Sequence, residues 1–242
     1  MNISEYHLPL HIRLARLTLR PFFRLLFHLL SHISLRGLEN IPPDGPYLIA
    51  INHVSLYDPP FLLAFWPTSP EAAGAVDIWS RPGQNMLVRL YGGIPIHRGE
   101  YDRKVIDRML AALQSGRPLL IAPEGGRSHL PGLRRGLPGV AYLADLAQVP
   151  VVPVGISGAT DDFLAKALRG KRPHIQMHIG EPLRLPPIQG KGEARRNARQ
   201  ENVDLIMQHI AALLPPEYQG VYVNRAQTQQ RVNQTAPDVE TA

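Results

Sequence analysis

The chain of 242 residues contains no cysteine. That excludes disulfides, thiolate nucleophiles and cysteine-ligated zinc, and leaves the redox compartment open. Charge is sparse: Asp, Glu, Lys and Arg supply 19% of the residues, against roughly 25% in ordinary soluble domains. Such a shortfall suggests that part of the surface faces something other than water. Aromatic residues make up only 7% and are not interleaved with the arginines, so nucleic acid is not expected as a partner. No apolar run approaches the roughly 18 residues of a spanning helix. The first residues also lack the basic start, apolar run and small-residue cleavage site of a secretory leader, so none is expected.

What is present is a core-building chain, 44% hydrophobic, of a length suited to one substantial domain. The net charge of +6 favours anionic partners, among them phosphorylated molecules and acidic lipid headgroups. Residues 8–32 read as helix. At about 100° per residue, Arg13, Arg16, Arg20 and Arg24 fall within roughly 80° of one another, opposite Leu14, Leu19, Phe22, Leu25, Leu26, Leu29 and Leu30. A cationic stripe opposite a leucine face is the pattern of a helix lying in a membrane interface, its arginines meeting lipid phosphates. Pro21 allows either one helix or a pair. Packing of the helix on the domain, with a solvated basic face, is the alternative.

Beyond it, strand-like runs at 33–36, 47–51, 94–96, 119–122, 151–156 and 174–179 alternate with helical patterns near 59–66, 83–91, 101–115, 136–148, 161–169 and 194–214. This alternation predicts an α/β fold, a mostly parallel central sheet with helices on both faces. The division expected is a membrane-interface segment at 1–32, a single domain at 33–218, and a disordered tail at 219–242, where Gln and Asn dominate and periodicity vanishes.

Four segments stand out. Asn52-His53 and Asp58 lie where an apolar strand gives way to a loop and then a helix, and ligand sites collect at strand C-termini in α/β folds. A histidine there can take a proton from a hydroxyl near neutral pH, more effectively if a carboxylate fixes its tautomer. Asp58 followed by Pro59 also suits a helix N-cap, and His53 could be an ordinary loop histidine. Pro123-Glu124-Gly125-Gly126-Arg127-Ser128 follows another apolar strand. Its glycines allow close backbone approach to a ligand, and Arg127 can fork onto a phosphate. Gly92 to Arg98 ends a short strand in a cation, and Val149 to Val154 is an apolar strand with two prolines. Alone, each of these has an ordinary structural explanation.

In this order, the four segments resemble the blocks of the glycerolipid acyltransferase family typified by 1-acyl-sn-glycerol-3-phosphate acyltransferases. Those blocks are Asn-His-x4-Asp, Gly-x-Ile-x-x-x-Arg, Pro-Glu-Gly-x-Arg-Ser and Val-Pro-Val-x-Pro-Val, and the similarity extends over about residues 33–185. The resemblance implies that His53 is the general base and Asp58 its orienting partner. It further implies that Arg98, Glu124 and Arg127 bind the acceptor's phosphate-bearing headgroup, with Gly125 allowing close approach, and that the 149–154 strand supports the substrate channel. An acyl-CoA or acyl carrier protein thioester would be co-substrate, with no cofactor and no metal. The acceptor would be lysophosphatidic acid or another lysophospholipid, at the cytoplasmic face of a membrane bearing anionic lipid. Two departures bear on the acceptor: Gly126 stands where the family commonly has Thr, and His97 precedes Arg98. Another lyso-lipid acceptor, or a non-catalytic module binding anionic lipid, would use the same groove.

Overall fold

The structure, a computed structural model, describes residues 6–223. Seven strands form one sheet: β1 (His32–Arg36), β2 (Leu48–Ile51), β3 (Glu71–Ala75), β4 (Ile94–Ile96), β5 (Leu119–Ile121), β6 (Val151–Ser157) and β7 (His174–Ile179). Their order across the sheet is β1-β7-β6-β2-β5-β3-β4. All neighbours run parallel except β6 and β7, which are antiparallel. The helices are α1 (Leu10–Leu30), α2 (Asp58–Phe65), α3 (Gln84–Tyr91), α4 (Arg103–Gln114), α5 (Gly139–Ala147), α6 (Phe163–Leu168) and α7 (Gly192–Ala212).

The central strands are apolar on both sides because both faces are covered. Leu48 and Ala50 of β2 enter one core, built with Leu113 of α4, Leu143 of α5 and Ile206 of α7. Ile49 and Ile51 enter the other, with Phe27 of α1, Phe61 and Phe65 of α2 and Phe163 of α6. β3 was not expected. Its sequence, Glu-Ala-Ala-Gly-Ala, has no β-branched residue and begins with an acid, so neither propensity nor alternation marks it. Pairing with β5 and β4 makes it a strand.

Glu71 is fully buried at the start of β3 because two guanidinium groups meet it. Arg16 of α1 donates to Oε1 at 2.9 Å and to Oε2 at 2.7 Å, and Arg117 Nε donates to Oε1 at 2.6 Å. Burial alone would raise the Glu71 carboxyl, but the hydrogen bond and charge of Arg16, helped by Arg117, hold it below its ordinary value. Arg20 donates to the carbonyls of Trp66 and Pro67. Arg24 donates to Ala64 O at 3.0 Å. These arginines therefore satisfy carbonyls at the C-terminal end of α2, which its own ladder cannot.

This corrects the expectation for the N-terminal helix. Arg16, Arg20 and Arg24 face the protein rather than lipid phosphates. The opposite arc is the outer one: Leu10, Leu14, Leu17, Phe22, Leu25 and Leu29 are each more than half exposed. Helix α1 runs through Pro21 unbroken. The segment from Gln219, expected to be structureless, is packed as far as the description extends. Val221 N donates to Leu133 O, and Tyr222, buried, donates to Asp204 at 2.9 Å. The remainder of the expected tail, 224–242, lies outside the described residues.

Candidate active site

The site forms where β2 ends beside β6. Asn52, the first residue past β2, turns its side-chain amide into a surrogate strand pairing: Nδ2 donates to Ile156 O at 2.8 Å and Oδ1 accepts from Ile156 N at 2.7 Å. This two-point bond is buried and fixes the direction in which the chain leaves the sheet. His53 follows directly. Sequence reasoning placed Asn52 in the motif without giving it a role, because its partner lies 104 positions away.

Asp58 lies in the first turn of α2 but does not cap it. The residue at the cap position is Tyr57, with no side-chain capping bond. The Asp58 carboxylate turns back onto the loop instead. Its Oδ2 accepts from Val54 N at 2.8 Å and Ser55 N at 2.7 Å, and meets His53 Nδ1 at 3.2 Å. The Ser55 hydroxyl lies 3.3 Å from Oδ1. The expectation of Asp58 as N-cap is thus replaced by a tighter arrangement, in which one carboxylate closes the turn and meets the imidazole. Pro59 and Pro60 start the helix without wasting backbone donors. Burial pushes the Asp58 carboxyl above its ordinary value, opposed by the His53 hydrogen bond and charge and by the two amides. An ionised Asp58 sets the hydrogen on His53 Nδ1 and leaves the Nε2 lone pair as the base.

Glu124 braces this loop from behind. Its Oε1 accepts from His53 N at 2.9 Å and its Oε2 from Arg134 N at 2.9 Å. Its side chain is 1% exposed. Both oxygens are engaged inside the protein, so Glu124 positions His53 rather than facing an acceptor, as had been expected. Burial raises its carboxyl as well, against the pull of those backbone donors. Gly125 has φ +67° and a Cβ there would lie 2.5 Å from Leu137 Cδ1. Glycine is required by the turn and by packing, a cause separate from the ligand approach expected of it.

Arg98 does reach the 123–128 loop. A Cβ at Gly126 would lie 3.2 Å from the Arg98 Cζ and Nη2, so the guanidinium packs closely over this glycine. Arg98 is half exposed and faces Asp77 at 3.7 Å. Arg127 sits on the same loop but points to Asp161, with Nη1 3.2 Å from Oδ1. The other oxygen of Asp161 meets His129 Nδ1 at 2.8 Å. The loop is stitched to the base by backbone bonds, Ser128 N to His53 O and His129 N to Val54 O. Asp161 and Arg134 were not singled out from sequence; both act through contacts that no local motif records. Val151 to Val154 lie fully buried within β6 at the sheet centre, apart from any surface. Among the described residues no group of acids and histidines is placed to hold a metal ion.

A family model described as Acyltransferase matches residues 32–157. The chain is 33% identical over 177 residues to the lyso-ornithine lipid O-acyltransferase of Pseudomonas aeruginosa, covering 65% of this chain and 67% of that protein. It is 25% identical over 167 residues to the human 1-acyl-sn-glycerol-3-phosphate acyltransferase alpha, covering 66% of this chain. The chain spans only 56% of that relative's length. Among solved structures, the 1-acyl-sn-glycerophosphate acyltransferase of Thermotoga maritima matches with a TM-score of 0.57 over 81% of this chain and 79% of that one. At 22% identity that likeness is one of fold.

Proposed function

Because this chain belongs to the acyltransferase family, we propose that it moves a fatty acyl group from a thioester, acyl-CoA or acyl carrier protein, to the hydroxyl of a lyso-lipid. The observation that carries this is the contact of His53 Nδ1 with a fully buried Asp58 carboxylate at 3.2 Å. His53 Nε2 takes the proton of the acceptor hydroxyl as its oxygen attacks the thioester carbonyl. The carbon–sulfur bond then breaks, and the imidazolium returns the proton to the departing thiolate. Asp58 stabilises the imidazolium between these steps and keeps the ring in register. Holding hydroxyl, base and thioester together contributes a further share of the roughly 7–11 kcal/mol available to well-oriented reactants.

Two acceptor classes remain in view. A lysophosphatidic acid-like acceptor, the class in the human relative's name, would set its phosphate against Arg98 and Arg127. A lyso-aminolipid is favoured by the higher identity to the lyso-ornithine lipid enzyme. In either case the substrates concentrate in a bilayer, and the exposed leucine and phenylalanine arc of α1 is suited to enter one while the arginines stay within the protein. This reading has α1 lying in the bilayer interface, on the cytoplasmic side; no helix among the described residues is long and apolar enough to cross a membrane.

The test is a matrix of acyl-CoA and acyl carrier protein donors against lysophosphatidic acid and lyso-aminolipid acceptors, with products identified by mass. Acylated lyso-lipid together with free thiol is the expected result. Vesicle binding with no thiol released by any pair would point to a lipid-binding module and overturn the reading.

A further inference from the structure

Resting on that acyl-transfer reading, we infer that the acceptor headgroup is zwitterionic, its anion held by Arg127 and its ammonium by Asp161. The starting observation is that the guanidinium groups around the Gly125–Gly126 turn are already matched by acids. Arg98 faces Asp77 at 3.7 Å, Arg127 faces Asp161 at 3.2 Å, and Arg134 faces Glu124 at 3.8 Å. A bare phosphate entering beside Arg127 meets a guanidinium that is already paired, and it approaches the Asp161 carboxylate.

Of the three acids, Asp161 is the partly exposed one tied to the loop that carries the base, where His129 and the Leu56 backbone also meet it. Glu124 is spent on backbone amides inside the protein. Asp77 is shared with Arg81. Asp161 is 38% exposed by side chain, while its Arg127 partner is only 16% exposed. It stands beside the loop that carries His53, since His129, its second partner, donates its backbone N–H to Val54 O at 3.1 Å. His129 holds a left-handed backbone, φ +65°, to do so, a conformation uncommon outside glycine. The matched family region ends at residue 157, so Asp161 lies outside it and its carboxylate belongs to no motif of the family model.

An ion pair of this kind suits a ligand that is itself an ion pair. A carboxylate and an ammonium on one headgroup replace each partner of the Arg127–Asp161 pair by a like charge, so no charge is left unmatched. A phosphate monoester satisfies Arg127 but leaves Asp161 beside a second anion, the repulsive element that specificity commonly needs. The zwitterionic class consists of lyso-lipids whose polar end is an amino acid.

The experiment compares kcat/KM of the full chain for two acceptors of equal acyl length, lysophosphatidic acid and a lyso-aminolipid bearing one carboxylate and one ammonium. Each is tried with acyl-CoA and with acyl carrier protein. The expected wild type prefers the aminolipid. Asp161→Asn is expected to shift the ratio toward lysophosphatidic acid by about tenfold, chiefly through KM, and Asp161→Glu to restore most of the preference. A wild type that prefers lysophosphatidic acid overturns the inference. So does an Asp161→Asn variant, confirmed folded by its melting curve, that slows both acceptors equally, because Asp161 would then serve only to orient Arg127. Both results leave acyl transfer standing. Acylation of neither acceptor by either donor removes the reading and the inference together.

Discussion

Exchanging the Asp58 carboxylate for an amide keeps its size but sets an NH2 group among the amides of Val54 and Ser55 and the ring of His53. Asp58→Asn should therefore lower kcat by about 10²–10⁴-fold, checked by initial rates under saturating donor, and also lower the melting temperature. Glu124→Gln acts differently. One of its two oxygens becomes a donor facing a backbone donor, at His53 N or Arg134 N, which costs about 1–3 kcal/mol. Its expected signature in thermal unfolding is a melting point lower by several degrees, with a smaller loss of rate than Asp58→Asn causes. At this scale the meeting of His53 with Asp58 was legible, since a polar block at the end of an apolar strand marks a site and the spacing from 53 to 58 permits a closed turn. The direction of the Asp58 carboxylate was not legible. Local sequence suggests a cap, and only the folded loop shows the amides that draw it backward. Asn52 and Asp161 escaped for another reason. Each acts across the chain, the first on β6 and the second on the 127–129 loop.

The element that departs furthest from expectation is α1. Helical phase correctly put the arginines on one side and the leucines on the other, but phase carries no information about which side meets the domain. That was decided by Glu71, in a strand too rich in small residues to be foreseen. Arg16→Met leaves that carboxylate buried with one guanidinium, that of Arg117, and Glu71→Gln leaves Arg16 buried beside a neutral amide. Each should destabilise by about 3–5 kcal/mol, read from urea unfolding. The pH dependence follows from the depressed Glu71 carboxyl. Its stabilisation is fully present above the ordinary glutamate value, about 4.3, and is lost as pH falls through the lower folded value. Wild-type stability should thus decline on acidification more steeply than that of Glu71→Gln; parallel curves would deny the ion pair its role.

For the whole molecule, the exposed arc of α1 and the polar site at the strand ends together make an enzyme suited to a surface. Replacing Leu17, Leu25 and Leu29 with serine touches only exposed positions, so the fold should persist. Partition onto anionic vesicles should weaken by on the order of 1 kcal/mol per leucine, and a sedimentation assay with unchanged binding would place the membrane contact elsewhere. The mostly parallel layering at this scale follows from the alternation of short apolar runs with helices, which the chain displays openly, whereas the strand order, with its unforeseen β3, does not. The surface charge does not follow from composition, because the arginines of α1 and of the site are largely matched by acids and carbonyls of the fold. Above all of this stands one imidazole. The most direct measurement is the rate of acceptor-dependent acyl transfer by His53→Ala against wild type, with folding of both confirmed by their melting curves. A fall of about 10²-fold or more is predicted. A folded His53→Ala protein that transfers acyl groups at the wild-type rate would contradict the mechanism outright.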